Sequence, residues 1–240
     1  MSHSDHGPVR LDRGTLAAAV RALTRRDPAL RNLVRRDGLP PLWARPPGFA
    51  TLLRIILEQQ VSLASARATF ARLEAAAGVV SPRAVLGLRL DGLRDLGFTR
   101  QKAGYCVGLA QAIAGGALDL CRVAQAGDEA ARHALMRVRG VGRWTADIYL
   151  LMALRRPDVW PAGDLALHRA LMRAKQLRSL PSTAQAAELA TVWAPWRSVA
   201  ARIMWHAYLS ERATQRGREA ANAGSPQRGP VPSAHPVSLA

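Results

Sequence analysis

The chain has 240 residues, 49% of them hydrophobic, enough for one large or two small domains with a buried core. Lys and Arg number 34 against 17 Asp and Glu, a net charge of +17, and the isoelectric point is near 11.6. That balance points to a polyanionic partner. No apolar run is long enough for a transmembrane helix, and the polar start of the chain is not a signal peptide. Cys106 and Cys121 stand apart, with neither a CxxC pair nor a four-cysteine cluster, so no zinc site and no iron–sulfur cluster are expected and a reducing cytosol fits. The basic residues are almost all Arg, with only Lys102 and Lys175 as lysines. A GC-rich coding sequence explains that bias, and nucleic acid explains the net charge.

Taken in chain order, the pattern predicts an all-α protein. Ala, Leu and Arg recur at helical spacing, and alternation of the strand type is almost absent. Residues 1–10 are expected to be loose. Helices are predicted over Thr15–Thr24 and over Phe49–Ala77, the second with room for a break. Two short ones follow, Pro82–Leu88 and Leu90–Leu96, before a turn at Gly97. Further helices are predicted over Arg100–Gly115, Glu129–Val138, Thr145–Leu154, Leu165–Gln176, Thr183–Thr191 and Pro195–Glu211. A folded domain over 11–212 is thus expected, followed by a disordered basic tail over 213–240, where Gly and Pro accumulate.

The most informative stretch runs from Leu135 to Leu171. A helix ends near Val138, Gly140-Val141-Gly142 makes a tight turn, and a new helix begins at Arg143. Two glycines this close permit positive φ and close backbone approach. Free N–H groups at the new helix start favour an anionic oxygen, with Arg143 beside them. An ordinary αα-hairpin would read the same way. Further on, Pro161-Ala162-Gly163-Asp164 precedes another helix. Asp164 reads either as a helix cap or as a carboxylate held at a helix start facing a cleft.

Four segments together resemble one family. They are Phe49 to Ser62, ending Glu58-Gln59-Gln60-Val61-Ser62; Leu96-Gly97-Phe98-Thr99-Arg100-Gln101-Lys102-Ala103; the hairpin from Val138 to Ala146; and Pro195-Trp196-Arg197-Ser198 through Trp205. The combination resembles the helix-hairpin-helix (HhH-GPD) DNA glycosylase superfamily, and within it the AlkA-like DNA-3-methyladenine glycosylase II branch. It covers roughly Leu16 to Glu211. The resemblance implies two helical subdomains with the active-site cleft between them. Relatives often carry an N-terminal β-rich domain, and the short lead before the first helix implies the compact form.

By the same resemblance, Asp164 is the catalytic carboxylate, stabilising the oxocarbenium-like sugar of glycosidic cleavage. Trp144, Trp205, Gln59 and Ile148 are expected to form the base pocket. A cationic alkylated purine over an indole gains about 0.5–2 kcal/mol, and stacking adds about 1–3 kcal/mol per base. Flipping the base costs a few kcal/mol, so these gains are comparable. Gln60 is expected at the wedge position and Gly140, Val141, Gly142, Arg143 and Thr145 on the DNA backbone. Met136, Val138 and Val141 would offer backbone carbonyls to Na⁺ or K⁺. Bifunctional relatives carry a Lys where this chain has Trp144, which implies a monofunctional enzyme with no lyase cut. His168 is expected on a solvated face, Trp43, Trp160, Trp193 and Trp196 in structural packing, and Arg197 and Arg202 on phosphates or structural carboxylates. Expected, then, is a monomeric base excision repair glycosylase for alkylated purines in duplex DNA, cytoplasmic and nucleoid-associated. The alternatives are a non-catalytic DNA-binding hairpin module and a glycosylase for deaminated or other damaged bases.

Overall fold

The structure, a computed structural model, describes residues 9–223. It is helical, with no strand among the described residues. α1 (Arg13–Arg26) opens on a capping box between Asp12 and Thr15, and its stripe of Leu16, Ala19, Val20 and Leu23 is buried. α2 (Pro28–Asp37) follows at once, because Asp27 accepts the Ala29 and Leu30 N–H groups and Pro28 occupies the first turn. Sequence pattern missed α2, where five of ten residues are charged or polar and only Leu30 is buried.

α3 (Phe49–Glu58) and α4 (Leu63–Ala77) are separated at Gln59–Ser62, where Ser62 caps α4 through the Ser65 N–H. α5 (Pro82–Asp95) is broken at Arg89, whose φ of 56° and ψ of −173° interrupt the helix where two short helices are expected. α6 (Arg100–Ala114) is capped by Thr99. α3 packs against α4 and α6, and α5 lies along α6, which makes one helical group.

α7 (Leu120–Gln125) and α8 (Asp128–Met136) lead into the hairpin, and α9 (Arg143–Ile148) continues as a π-helical turn over Tyr149–Ala153. The other group is built by α10 (Leu165–Ala174), α11 (Thr183–Leu189) and α12 (Arg197–Ala223), with α1 and α2 packed on α12. Asp27 joins its parts: Oδ2 accepts Trp193 Nε1 at 2.7 Å and Lys175 Nζ at 2.8 Å. α3 touches α9 and the π turn, so the hairpin segment bridges the two groups.

Two expectations change here. α12 runs on to Ala223, past the expected start of the tail at 213, because its continuation, with four Ala and two Arg among eleven residues, is a good helix former. The rest of that tail, and residues 1–8 of the expected loose start, lie outside the described residues. Arg202 is fully buried and binds neither phosphate nor carboxylate. Its guanidinium donates to the carbonyls of Leu42 (2.8 Å), Ser198 (3.3 Å) and Leu151 (2.8 Å), the last within the π turn. Burial without a counter-ion pulls its pKa down to about 10.

Candidate active site

Asp164 caps α10, and its carboxylate gathers three N–H donors. Oδ1 accepts the Leu167 backbone N–H at 2.8 Å and Trp205 Nε1 at 3.1 Å. Oδ2 accepts Trp144 Nε1 at 3.0 Å. Asp164 is therefore a helix cap that is also held by two indoles from different elements. Trp144 comes from the first turn of α9 and is half-buried; Trp205 comes from α12 and is 8% exposed. The three residues meet where the hairpin segment adjoins the α10–α12 group.

The hairpin is closed by the Val141 N–H donating to the Val138 carbonyl at 3.0 Å. Gly140 has φ +91°, and a Cβ there would stand 2.3 Å from Tyr105 Cγ. Only glycine fits both the left-handed backbone and the aromatic ring beneath it. Gly142 starts α9 with no side-chain cap, leaving the first N–H groups of the helix without one. Arg137, Arg139 and Arg143 are exposed around this turn. Arg137 and Arg139 were not singled out in the sequence, although both lie in the run Arg137-Val138-Arg139-Gly140-Val141-Gly142-Arg143.

Several expected site residues have other roles. The Gln59 amide nitrogen donates to the Gly140 carbonyl at 2.9 Å and to Thr145 Oγ1 at 2.7 Å. Both of its donors are engaged, so Gln59 braces the hairpin and does not present them to a base. Thr145 is 1% exposed and its hydroxyl oxygen accepts from Gln59, while Val141 is 4% exposed and its N–H is taken by the turn. Ile148 is 3% exposed and belongs to the apolar core behind Trp144. His168 is buried, not solvated, because the α10 face carrying Leu167 and Leu171 packs into the interior. Arg197 takes the carboxylate alternative, with a two-pronged pair to Asp158 at 2.9 and 2.8 Å.

Gln60 fits an outward role. It is exposed, has φ +53°, and is followed by Val61 in the loop and Leu63 at the start of α4, both also exposed. Gly140, Gly142 and Arg143 stay at the accessible edge of the hairpin, and Met136 is exposed at the end of α8. Trp160 and Trp193 are core residues whose rings lie 5.5 Å apart, tilted by 39°, while Trp43 and Trp196 are partly buried against the core.

A buried ion pair stands behind the site. Arg132 Nε donates to Asp147 Oδ1 at 2.6 Å, with Asp147 fully buried. The Ala162 N–H reaches Asp147 Oδ2 at 3.4 Å, which links α9 to the loop that delivers Asp164. Burial pushes the Asp147 carboxyl above its ordinary range, against the pull of Arg132. Burial also opposes the Arg132 charge, but Asp147 and Glu129 outweigh it and raise that pKa. A cavity of about 500 Å³ lined by Arg132, Arg143, Asp158, Trp160 and Arg197, among others, does not include Asp164. Its arginines and acids are largely paired with one another.

Comparison with known proteins gives this arrangement a context. Residues 53–195 match the HhH-GPD superfamily of base excision DNA repair proteins. A Bacillus subtilis protein provisionally named DNA-3-methyladenine glycosylase YfjP is 29% identical over 165 residues, covering 65% of this chain. The chain spans 58% of that relative's length. A solved Schizosaccharomyces pombe 3-methyladenine DNA glycosylase in complex with abasic DNA superposes with a TM-score of 0.72 at 25% identity, covering 78% of this chain and 95% of that one. A solved DNA-3-methyladenine glycosidase from Bacillus halodurans gives 0.71 at 25% identity, covering 81% and 91%.

Proposed function

The chain belongs to the HhH-GPD superfamily of base excision DNA repair proteins, and from that premise we propose that it is a monofunctional DNA glycosylase. It hydrolyses the N-glycosidic bond of alkylated purines such as 3-methyladenine after flipping them out of duplex DNA. The observation that carries this reading is the Asp164 carboxylate held between the Trp144 and Trp205 indoles at 3.0 and 3.1 Å.

The hairpin takes the backbone. Arg137, Arg139 and Arg143 and the uncapped start of α9 meet phosphates, and base identity plays no part in that contact. The carbonyls of Met136, Val138 and Val141 would hold a monovalent cation there, adding positive charge beside the phosphate. Val138 O already accepts the Val141 N–H, and a carbonyl oxygen keeps a second lone pair, so the set is compatible with such an ion.

The flipped base then lies among the aromatic residues. An alkylated purine is cationic and is a good leaving group, so little acid assistance is needed. As the glycosidic bond breaks, positive charge develops on the sugar, and Asp164 stabilises it. Its position is fixed beforehand by three donors, so no reorganisation is needed as the charge appears. Water then completes the sugar, and the product is an abasic site.

The lysine inventory supports a single activity. The chain has two lysines. Lys102 Nζ is engaged by the Leu57 and Gln59 carbonyls at 2.6 and 2.8 Å. Lys175 Nζ is engaged by Asp27 at 2.8 Å. Trp144 stands where a Schiff-base lysine would be needed. The enzyme would act as a monomer on the cytoplasmic nucleoid; among the described residues no helix is long and apolar enough to cross a membrane.

The test is incubation with methylated duplex DNA, followed by chromatography of released bases and electrophoresis of the strands. Free methylated purines should appear, and strands should break only after alkali. Strand cutting without alkali would contradict the single activity, and intact DNA with no released base would contradict the glycosylase reading.

A further inference from the structure

Lys102 lies on α6, away from the carboxylate, yet it touches the loop that faces the duplex. Its ammonium donates to Leu57 O at 2.6 Å and to Gln59 O at 2.8 Å. These carbonyls lie at the end of α3, where the last C=O groups lack helical partners and the helix dipole favours a cation. Gln60 comes next, exposed and in the left-handed region at φ +53°. The same helix face supports the hairpin, because Tyr105, one turn further along α6, has its ring directly under Gly140. The third side of the triangle is Gln59, whose amide joins the loop to Gly140 O and Thr145 Oγ1.

We propose that Lys102 is a positioning residue that locks the Gln60 loop in register with the hairpin, so that the loop enters the duplex at a fixed distance from the phosphates held by Gly140–Arg143. This rests on the glycosylase reading above. A cation is suited to the task because one ammonium carries several donors and satisfies two chain-end carbonyls at once. Burial lowers the Lys102 pKa below its ordinary value, so the ammonium is held there against a desolvation cost. The loop's positive-φ residue is itself a strained element, and such elements persist where their surroundings fix them.

The experiment uses the full chain and a duplex holding a tetrahydrofuran abasic analogue, with 2-aminopurine opposite it. At saturating protein, the wild type should raise 2-aminopurine fluorescence as the loop enters the gap and unstacks that base. Lys102→Met should bind the duplex within about threefold of wild type yet lose most of that signal, and Lys102→Arg, which keeps donors at that reach, should restore it. If Lys102→Met does not fold, Lys102→Gln, with a shorter donor, takes its place. An unchanged signal in the variant overturns the proposal. So does a signal that falls only in proportion to binding, because that is the mark of a general structural defect. A wild type that binds the duplex without any fluorescence change overturns it as well. The glycosylase reading fails separately, through absence of base release from methylated DNA by the wild type.

Discussion

Trp205 Nε1 lies 3.1 Å from Asp164 Oδ1, so a helix near the end of the chain fixes a carboxylate at the start of another. Trp144 does the same to the other oxygen from the hairpin side. Each indole therefore holds the Asp164 carboxylate in place, in addition to the stacking surface proposed for it.

Replacing either indole by phenyl separates these roles. Trp144→Phe and Trp205→Phe keep an aromatic ring but remove an N–H donor to a charged acceptor, a bond of about 1.5–3 kcal/mol. Single-turnover excision should slow about 10- to 100-fold in each, at about 1.4 kcal/mol per factor of ten. Unchanged rates in both variants would mean that the indoles serve only as surfaces.

Asp147→Ala should destabilise the fold by about 3–5 kcal/mol, because it leaves the buried Arg132 charge with only the exposed Glu129 as its partner. Urea denaturation measures this. Adding Arg132→Met to Asp147→Ala should recover much of the loss, since an apolar replacement of a buried pair is often nearly neutral. A double variant as unstable as the single one would show that the charge left behind is not the cause.

Gly140→Ala meets two obstacles, the left-handed backbone and the Tyr105 ring. Tyr105→Ala in the same chain should relieve the steric part and leave a residual loss of about 1 kcal/mol from the backbone. A thermal-denaturation cycle of the four proteins reads this coupling, and additive losses would remove the ring from the explanation.

Cys106 is fully buried, and burial raises its thiol pKa to about 12, while Cys121 is exposed. A thiol reagent should therefore modify one cysteine quickly and the other only on unfolding. The raised pKa also couples to stability. Above pH about 9, the ordinary thiol value, the unfolded chain loses this proton while the folded one keeps it, so stability contributed by Cys106 declines as pH rises toward about 12. Cys106→Ala should flatten that decline; an unaltered pH profile would assign it to other groups.

Local signals made much of the chain legible. Helical spacing identified most helices, including the division of α5 at Arg89, and the glycine turn and Asp164 marked the site. What the pattern hid depends on partners far apart in sequence. His168 looked solvated because its burial is set by the packing of α10. Arg202 looked like a charge-pairing residue, but its partners are backbone carbonyls, which no residue type announces. Lys102 stood out as part of the Leu96–Ala103 segment and as a lysine outside the hairpin, but its role was hidden, since its contacts with Leu57 and Gln59 exist only once α6 lies against the end of α3. Two short helices were missed locally, α2, although Asp27-Pro28 is a start signal, and α7, which Asp119 caps.

The most direct measurement is release of free methylated purines from methylated duplex DNA by the wild type and by Asp164→Asn, with DNA affinity measured alongside. The account predicts release by the wild type, loss of release in Asp164→Asn, and DNA binding retained by both. Release by Asp164→Asn at the wild-type rate would contradict the assignment of Asp164 as the carboxylate that drives the cleavage.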